Sequence, residues 1–298
     1  MKTIAIKKIL VPYDFSETSE IALSEATILA RPLKAEIYLI HVLEDKTSPF
    51  SVITNQELPG TFPHNLEMEA LKRLKLVREK VKKEFGELPK SFITSGNIPK
   101  EIIEYSVKND IDLIVMGTHG TSGYHELFLG SNAQRVVTLS EVPVMTMQRR
   151  MPKTGFRNIL LPIDNSLHSR EKVSIAIILA GLFGANIQVI GLPGSDQEKE
   201  LNKFRLKMET VKKIVESENI SCQTTLVDGE SLASAALEYA SEHRSDLIVI
   251  NTGHESRVSG IFLGAFAQQI TNHSRIPVLS FRHSHGHYEL YTPGFGIS

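Results

Sequence analysis

Ile9–Ser16 reads ILVPYDFS, and a similar pattern returns at Ile159–Ser166 as ILLPIDNS. The two stretches lie 150 residues apart, and the same spacing relates Ala35–Ile40 to Ala185–Ile190. Self-similarity at a fixed spacing indicates a duplicated unit. The chain has 298 residues, which is long enough for two hydrophobic cores of ordinary size. We therefore expect two domains of one fold.

The later parts of the two halves match at a shorter spacing. Asp112–Met116, DLIVM, corresponds to Asp246–Ile250, DLIVI, 134 residues further on. The first half must therefore hold 16 more residues between the two matched regions. They fit the loop-like stretch Glu44–Asn65, which contains several prolines and a glycine.

A linker is predicted between the halves. Arg149–Gly155 is polar, contains a proline and a glycine, and lacks the periodicity of a helix or strand. We place the boundary there, with one domain at residues 1–152 and the other at residues 153–298.

The alternation of segment types predicts the fold of each half. Short β-branched runs bounded by turn residues alternate with longer segments of helical period, which is typical of βαβ units and a parallel sheet. Ile9–Val11 and Leu113–Met116 are continuously apolar, as expected of central strands covered by helices on both faces. In the first half, strands are predicted near 8–13, 36–42, 91–95, 111–117 and 143–148, and helices near 18–31, 67–86, 99–109 and 131–140. Right-handed crossovers then give an α/β fold of two tandem, doubly wound, open parallel five-stranded sheets.

Composition limits the possible partners. With 41% hydrophobic and 22% charged residues the chain resembles soluble globular proteins, and no apolar stretch approaches the roughly 20 residues that cross a bilayer. The N-terminus shows no signal peptide, so we expect a cytoplasmic protein. A net charge of -1 provides no positive field for nucleic acid. The single cysteine, Cys222, excludes an intrachain disulfide and is expected to be inert core.

A glycine motif follows the predicted strand that ends at Met116. It comprises Gly117, Thr118, His119 and Gly120, then nine residues, then Gly130, Ser131 and Asn132. Glycines let the backbone approach an anion closely, and the unpaired first amides of a helix favour negative charge. This spacing predicts a phosphate-binding loop. The alternative is that the glycines only form a turn and that Ser131 only caps a helix.

Two further features lie at the same edge of the predicted sheet. Pro12, Tyr13 and Asp14 end the first strand, where a carboxylate can accept hydrogen bonds from a ribose hydroxyl or an adenine amino group. Val42 ends the second strand and is placed to line an apolar slot for a base. Each has a structural alternative, with Asp14 as a helix cap and Val42 as core.

The first half resembles the universal stress protein family over its whole length. The motifs that carry the resemblance are ILVPYDFS at Ile9–Ser16, the Val115–Gly120 turn and Val142–Val144, in that order. The resemblance implies an open-sheet domain that binds ATP where the glycine motif is intact. It implies that Pro12, Asp14 and Val42 contact adenine and ribose, that Met116 and Gly117 pass under the ribose and phosphates, and that Gly120, Gly130, Ser131 and Asn132 cradle the triphosphate. Mg2+ would be held mainly by phosphate oxygens.

The second half departs from the glycine motif. Asn251, His254, Ala265 and Phe266 stand where the first half has Gly117, Gly120, Ser131 and Asn132. Pro162, Asp164 and Gly264 remain. We expect side chains to fill this second cavity and the second half to be structural.

The residues near the motif favour a binding protein over an enzyme. Efficient hydrolysis needs a positioned base and a group that neutralises developing charge, and the titratable candidates are His119 and His125. These residues favour a nucleotide-binding protein that is at most a slow ATPase, and the resemblance implies that it acts in a stress response. The alternative is a scaffold that binds no nucleotide.

The resemblance also implies association through edge strands, here Pro143–Met145 and Pro277–Leu279. The two halves would then form a pseudo-dimer within one chain, and a homodimer is common among relatives. Three histidines at alternating positions, His283, His285 and His287, could chelate a metal. With no cysteine or carboxylate partner evident, we expect a solvated tail.

Overall fold

The structure is a computed structural model, and it describes residues 6–44, 64–118, 129–148, 150, 155–163, 171–191, 193, 198–227, 231–252 and 263–282. Several residues singled out in the sequence lie outside this part of the chain. They are His119, Gly120, His125, Asp164, His254, the histidines of the tail and most of the longer loop of the first half.

Strands and helices alternate in both halves. The elements of the first half are β1 (Lys8–Pro12), α1 (Glu17–Leu33), β2 (Glu36–Glu44), α2 (His64–Phe85), β3 (Lys90–Gly96), α3 (Ile98–Lys108), β4 (Leu113–Gly117), α4 (Ser131–Leu139) and β5 (Val144–Met147). Those of the second half are β6 (Asn158–Ile163), α5 (Glu171–Phe183), β7 (Asn186–Gly191), α6 (Glu198–Ser217), β8 (Cys222–Leu226), α7 (Leu232–Glu242), β9 (Leu247–Asn251), α8 (Ala265–His273) and β10 (Val278–Phe281). None of the helices in the described ranges is long and apolar enough to pass through a membrane.

The ten strands form one sheet in the order β3-β2-β1-β4-β5-β10-β9-β6-β7-β8. The strand pairs within each half are parallel, which confirms the predicted α/β fold of two tandem five-stranded units. The two units meet where β5 and β10 pair antiparallel, with Leu279 opposite Met145. These are the two strands through which the resemblance implied that the halves associate.

The core lies on both faces of this sheet. Ile9, Leu10 and Val11 of β1 are fully buried. Ile9 and Val11 belong to a cluster that extends across both halves on one face, whereas Leu10 belongs to a separate cluster on the other face of the first half. Alternate residues of a strand point to opposite faces, so β1 is covered on both sides. Each such buried side chain stabilises the fold by about 2 kcal/mol.

A carboxylate braces the start of the first strand in each half. Asp112 accepts hydrogen bonds from the backbone amides of Lys7 and Lys8 at 2.8 and 2.9 Å. Asp246 accepts in the same way from the amides of Arg157 and Asn158. Burial raises the pKa of the Asp246 carboxyl, and these amides oppose that shift. The brace aligns β1 with β4, and therefore aligns the carboxyl ends of both strands.

Cys222 begins the edge strand β8 and is buried. Burial raises the pKa of its thiol to about 11, with the nearby Glu216 carboxylate acting in the same direction. The thiolate is the reactive form, so the thiol in the folded protein is expected to be inert.

We expect Cys222 to react at least 100-fold more slowly with an aromatic disulfide at pH 8 in the native protein than in denaturant. At that pH roughly one thiol in a thousand is ionised if the pKa is about 11, against about one in four at the ordinary value of about 8.5. Stopped-flow absorbance measures both rates. Similar rates in the two states would contradict the buried position of the thiol.

Candidate functional site

A cavity of about 460 Å³ opens at the carboxyl ends of the strands in the first half. Its size is in the range of small-molecule sites. Of the twelve residues predicted for the site, the ten that are described all line this cavity: Pro12, Tyr13, Asp14, Val42, Met116, Gly117, Thr118, Gly130, Ser131 and Asn132. They come from the ends of β1, β2 and β4 and from the start of α4. The topology thus brings together segments that are more than 100 residues apart in the sequence.

One end of the cavity is apolar. Val42 and Met116 meet Ile98 and Ile102 there, and all four pack with the apolar cluster on that face of the sheet. The sequence analysis missed Ile98 and Ile102. A signal was available, because apolar residues four positions apart on a helix that follows an edge strand face the sheet. Ser19, His41 and Glu44 were also missed.

The turn after β1 is held by a short chain of hydrogen bonds. Oδ1 of Asp14 accepts from the amide of Ser16 at 3.0 Å and from its hydroxyl at 2.5 Å. The Ser16 hydroxyl oxygen in turn accepts from the amide of Ser19 and caps α1. The cap of this helix is therefore Ser16, so the alternative role of Asp14 as the cap is wrong. Asp14 braces the cap and stays exposed at the cavity.

Aromatic and charged side chains fix the same turn from the other side. Phe15 has a φ of 65°, a left-handed conformation that costs about 1 kcal/mol or more in a bulky residue. Its ring packs edge-to-face on Tyr13, lies 4.8 Å from the His41 ring, and has the Arg73 guanidinium 3.9 Å from its centroid. Nδ1 of His41 donates to the Tyr13 carbonyl at 2.7 Å. These contacts hold a strained turn that presents Asp14.

Tyr13 remains a neutral phenol at physiological pH. Burial, supported by the carboxylates of Glu20 and Asp14, raises its pKa to about 12, although Arg73 acts in the opposite direction. The Tyr13 hydroxyl therefore stays protonated and does not act as a base.

The other end of the cavity is formed by the start of α4. Gly130 is the N-cap residue, and it provides no side-chain capping bond to the first-turn amides. Ser131 is the first helical residue, so its alternative role as the cap is wrong. The Gly130 amide donates to the Thr118 carbonyl at 2.7 Å, which fixes the helix start against the end of β4. The amides of the first turn have no acceptor within the helix, and together with the helix dipole they favour an anion.

Gly117 also packs closely against Thr18 in the first turn of α1. A Cβ at this position would lie 2.7 Å from the Thr18 Cβ and 2.8 Å from the Thr18 carbonyl carbon. A side chain would therefore displace the first turn of α1, which carries the Asp14–Ser16 brace. The glycine thus serves the site through helix packing, in addition to the open backbone inferred from the sequence.

The corresponding edge of the second half carries larger side chains. Asn251 ends β9 where Gly117 ends β4. Lys172 stands where the first half has Ala22; its side chain is buried and its ammonium donates to the Pro162 carbonyl. Gly264 caps α8 with almost the same backbone angles as Gly130. The backbone at the start of the helix is therefore the same in both halves, whereas the side chains at these positions differ.

The described part of the chain contains no group of three or more histidine, cysteine, aspartate or glutamate residues that could hold a metal ion. The described residues that line the cavity also include no lysine or arginine. An anion in this cavity would thus be held by backbone amides, by hydroxyls and by the helix dipole.

Gly117→Ala is expected to lower the unfolding free energy by about 1–3 kcal/mol, because the added methyl meets the backbone of α1. Gly181→Ala is the matched control, since a Cβ there meets no atom within 4 Å and the residue lies in α5. In a helix that change is neutral or stabilises by up to about 1 kcal/mol. Urea unfolding gives both values, and equal midpoints for the two variants would refute the packing role.

Comparison with known proteins agrees with this architecture. The Universal stress protein family matches residues 5–148 and again residues 155–282. A universal stress protein of Methanocaldococcus jannaschii is 30% identical over 50% of this chain and 98% of its own length. One from Synechocystis sp. is 21% identical over 93% of this chain and 100% of its own length. The fold is shared with a universal stress protein of Archaeoglobus fulgidus, at a TM-score of 0.74 and 20% identity over 95% of this chain and 99% of that one. The chain therefore belongs to the universal stress protein family and carries its domain twice in tandem.

Proposed function

We propose that the first half binds ATP in the cavity between β1, β2, β4 and α4, and that the chain is a nucleotide-dependent binding protein of the stress response. The observation that supports this is the meeting of ten residues, chosen from the sequence for adenine, ribose and phosphate, in one cavity. The domain boundary near residues 152 and 153, a cytoplasmic location and the formation of a homodimer stay predictions.

The two ends of the cavity match the two ends of the nucleotide. Adenine enters the slot formed by Val42, Met116 and the isoleucines of α3, where its apolar faces are buried. Asp14 accepts from a ribose hydroxyl or the adenine amino group. The phosphates face the first-turn amides of α4 and the Ser131 hydroxyl. Mg2+ is held by the phosphate oxygens and neutralises part of their negative charge, because the described cavity lining contains no lysine or arginine.

The same lining favours binding over rapid hydrolysis. Phosphoryl transfer needs a positioned base and a cationic group near the transferred phosphate. Within the described lining the histidine is His41, whose Nδ1 is engaged with the Tyr13 carbonyl, and lysine and arginine are absent. We propose that bound ATP is turned over slowly at most and acts as a signal.

Ser131→Pro tests the proposed contact between the backbone amide and phosphate. Proline is tolerated as the first residue of a helix, and the extended conformation of Gly130 is compatible with a following proline. The substitution removes one amide donor and one hydroxyl while the helix is kept. We expect Mg2+-ATP affinity to fall at least tenfold, which is the loss typical of hydrogen bonds to a charged group. Isothermal titration calorimetry measures the change.

Ala265→Pro is the matched control, because Ala265 begins α8 after Gly264 with the same backbone conformation. This variant is expected to bind as tightly as wild type, with one ATP per chain. A loss of affinity in both variants would mean that the proline acts through general disturbance of the fold. An unmodified chain that takes up no ATP would overturn the proposal and favour the scaffold.

A further inference from the structure

Both ends of α4 are contacted by residues of the second half. At the start, the Leu129 amide donates to Oδ1 of Asn272, with a nitrogen–oxygen distance of 3.4 Å. At the end, the carbonyl of Leu139 accepts from the Arg282 guanidinium at 3.3 Å. A cation at the C-terminus of a helix also interacts favourably with its dipole. The second half thus holds α4, the helix whose first turn would face the phosphates.

The contact at the start of α4 is next to the cavity. Leu129 precedes the N-cap residue Gly130, whose own amide is bonded to Thr118 at the end of β4. Two consecutive amides are therefore fixed, one by the first half and one by the second. Leu263 of the second half also packs against the apolar cluster that contains Leu129. Together these contacts determine where the first turn of α4 lies.

The reciprocal contacts are not made in the described structure. By the duplication, Thr138 stands where the second half has Asn272, and its hydroxyl donates to Gln134 within its own helix. Gln148 stands where the second half has Arg282, and its Nε2 is buried without a hydrogen-bond partner among the described residues. The support therefore runs from the second half to the first.

We propose that Asn272 is a positioning residue for the ligand cavity of the first half, and that this is a function of the second half. By fixing the amide of Leu129, it orders the entry to α4 before a ligand arrives. A pre-ordered segment loses less conformational entropy when a ligand binds, and affinity rises accordingly. The consequence for affinity rests on the proposed binding of ATP, whereas the ordering of the segment does not.

The test uses the full chain and three variants. Asn272→Ala removes the acceptor. Asn272→Asp keeps an acceptor oxygen in the same place. Gln269→Ala removes an exposed amide side chain from the same helix and serves as the control. Two quantities are measured: hydrogen exchange of the Leu129 amide without nucleotide, and Mg2+-ATP affinity by calorimetry.

Asn272→Ala is expected to speed exchange at Leu129 and to weaken ATP binding, each by roughly fivefold, which corresponds to one net hydrogen bond. Asn272→Asp and Gln269→Ala are expected to match wild type in the exchange of Leu129. Exchange of the Ser274 amide, bonded to the Ile270 carbonyl at the end of α8, is expected to stay constant in all variants.

Unchanged exchange at Leu129 in Asn272→Ala would overturn the inference, as would an acceleration at Ser274 equal to that at Leu129, because the effect would then be loss of α8. Faster exchange at Leu129 with unchanged ATP affinity would also overturn it. If wild type binds no ATP, the proposed function fails. Hydrogen exchange of the Leu129 amide still decides whether Asn272 positions the entry to α4.

Discussion

The antiparallel pairing of β5 with β10 is the constraint on which the arrangement of the two halves depends. Each strand has four residues, all of them buried, and Met145 and Leu279 face each other in the cluster shared by both halves. An unpaired edge of this kind exposes backbone donors and acceptors together with apolar side chains, which invites aggregation. Pairing within one chain satisfies both edges, and leaves β3 and β8 as the edges of the sheet.

This pairing also determines how the strand ends of the two halves relate to each other. Strands within each half are parallel, but the halves meet antiparallel. The strands of the two halves therefore run in opposite directions, and their carboxyl ends lie on opposite sides of the sheet along the strand direction. The cavity of the first half therefore lies far from the corresponding strand ends of the second half. The elements near the junction include α4 and the end of α8. The hydrogen bonds of Leu129 and Leu139 join α4 to the second half near this junction.

The sequence predicted the strands and the composition of the cavity because both depend on local pattern. Parallel strands bring their carboxyl ends to one edge, so residues placed at those ends had to meet.

The limits of the strands were predicted less accurately. The strand β4 begins at Leu113 and not at 111, because the Ile111 amide bonds back to Ser106 at the end of α3 and Asp112 bonds to β1. The alternative capping roles of Asp14 and Ser131 were off by two positions and by one, because a serine or aspartate near a helix start does not show in sequence which residue is the cap. The bond between Leu129 and Asn272 joins residues 143 apart, and no local pattern specifies such a contact.

The comparison between halves shows which features a domain keeps when its cleft changes. The carboxylate brace of β1 has its counterpart in the second half, and so does the glycine at the start of α4. Both are requirements of the backbone. The differences concern side chains, such as Lys172, whose buried ammonium bonds to the Pro162 carbonyl near the end of β6. A buried charge is costly unless it is hydrogen-bonded, and this one has an internal acceptor where the first half has a small, fully buried Ala22. The second half thus has an internal bond at a position where the first half has none, and it supplies the strand that pairs with the edge of the first.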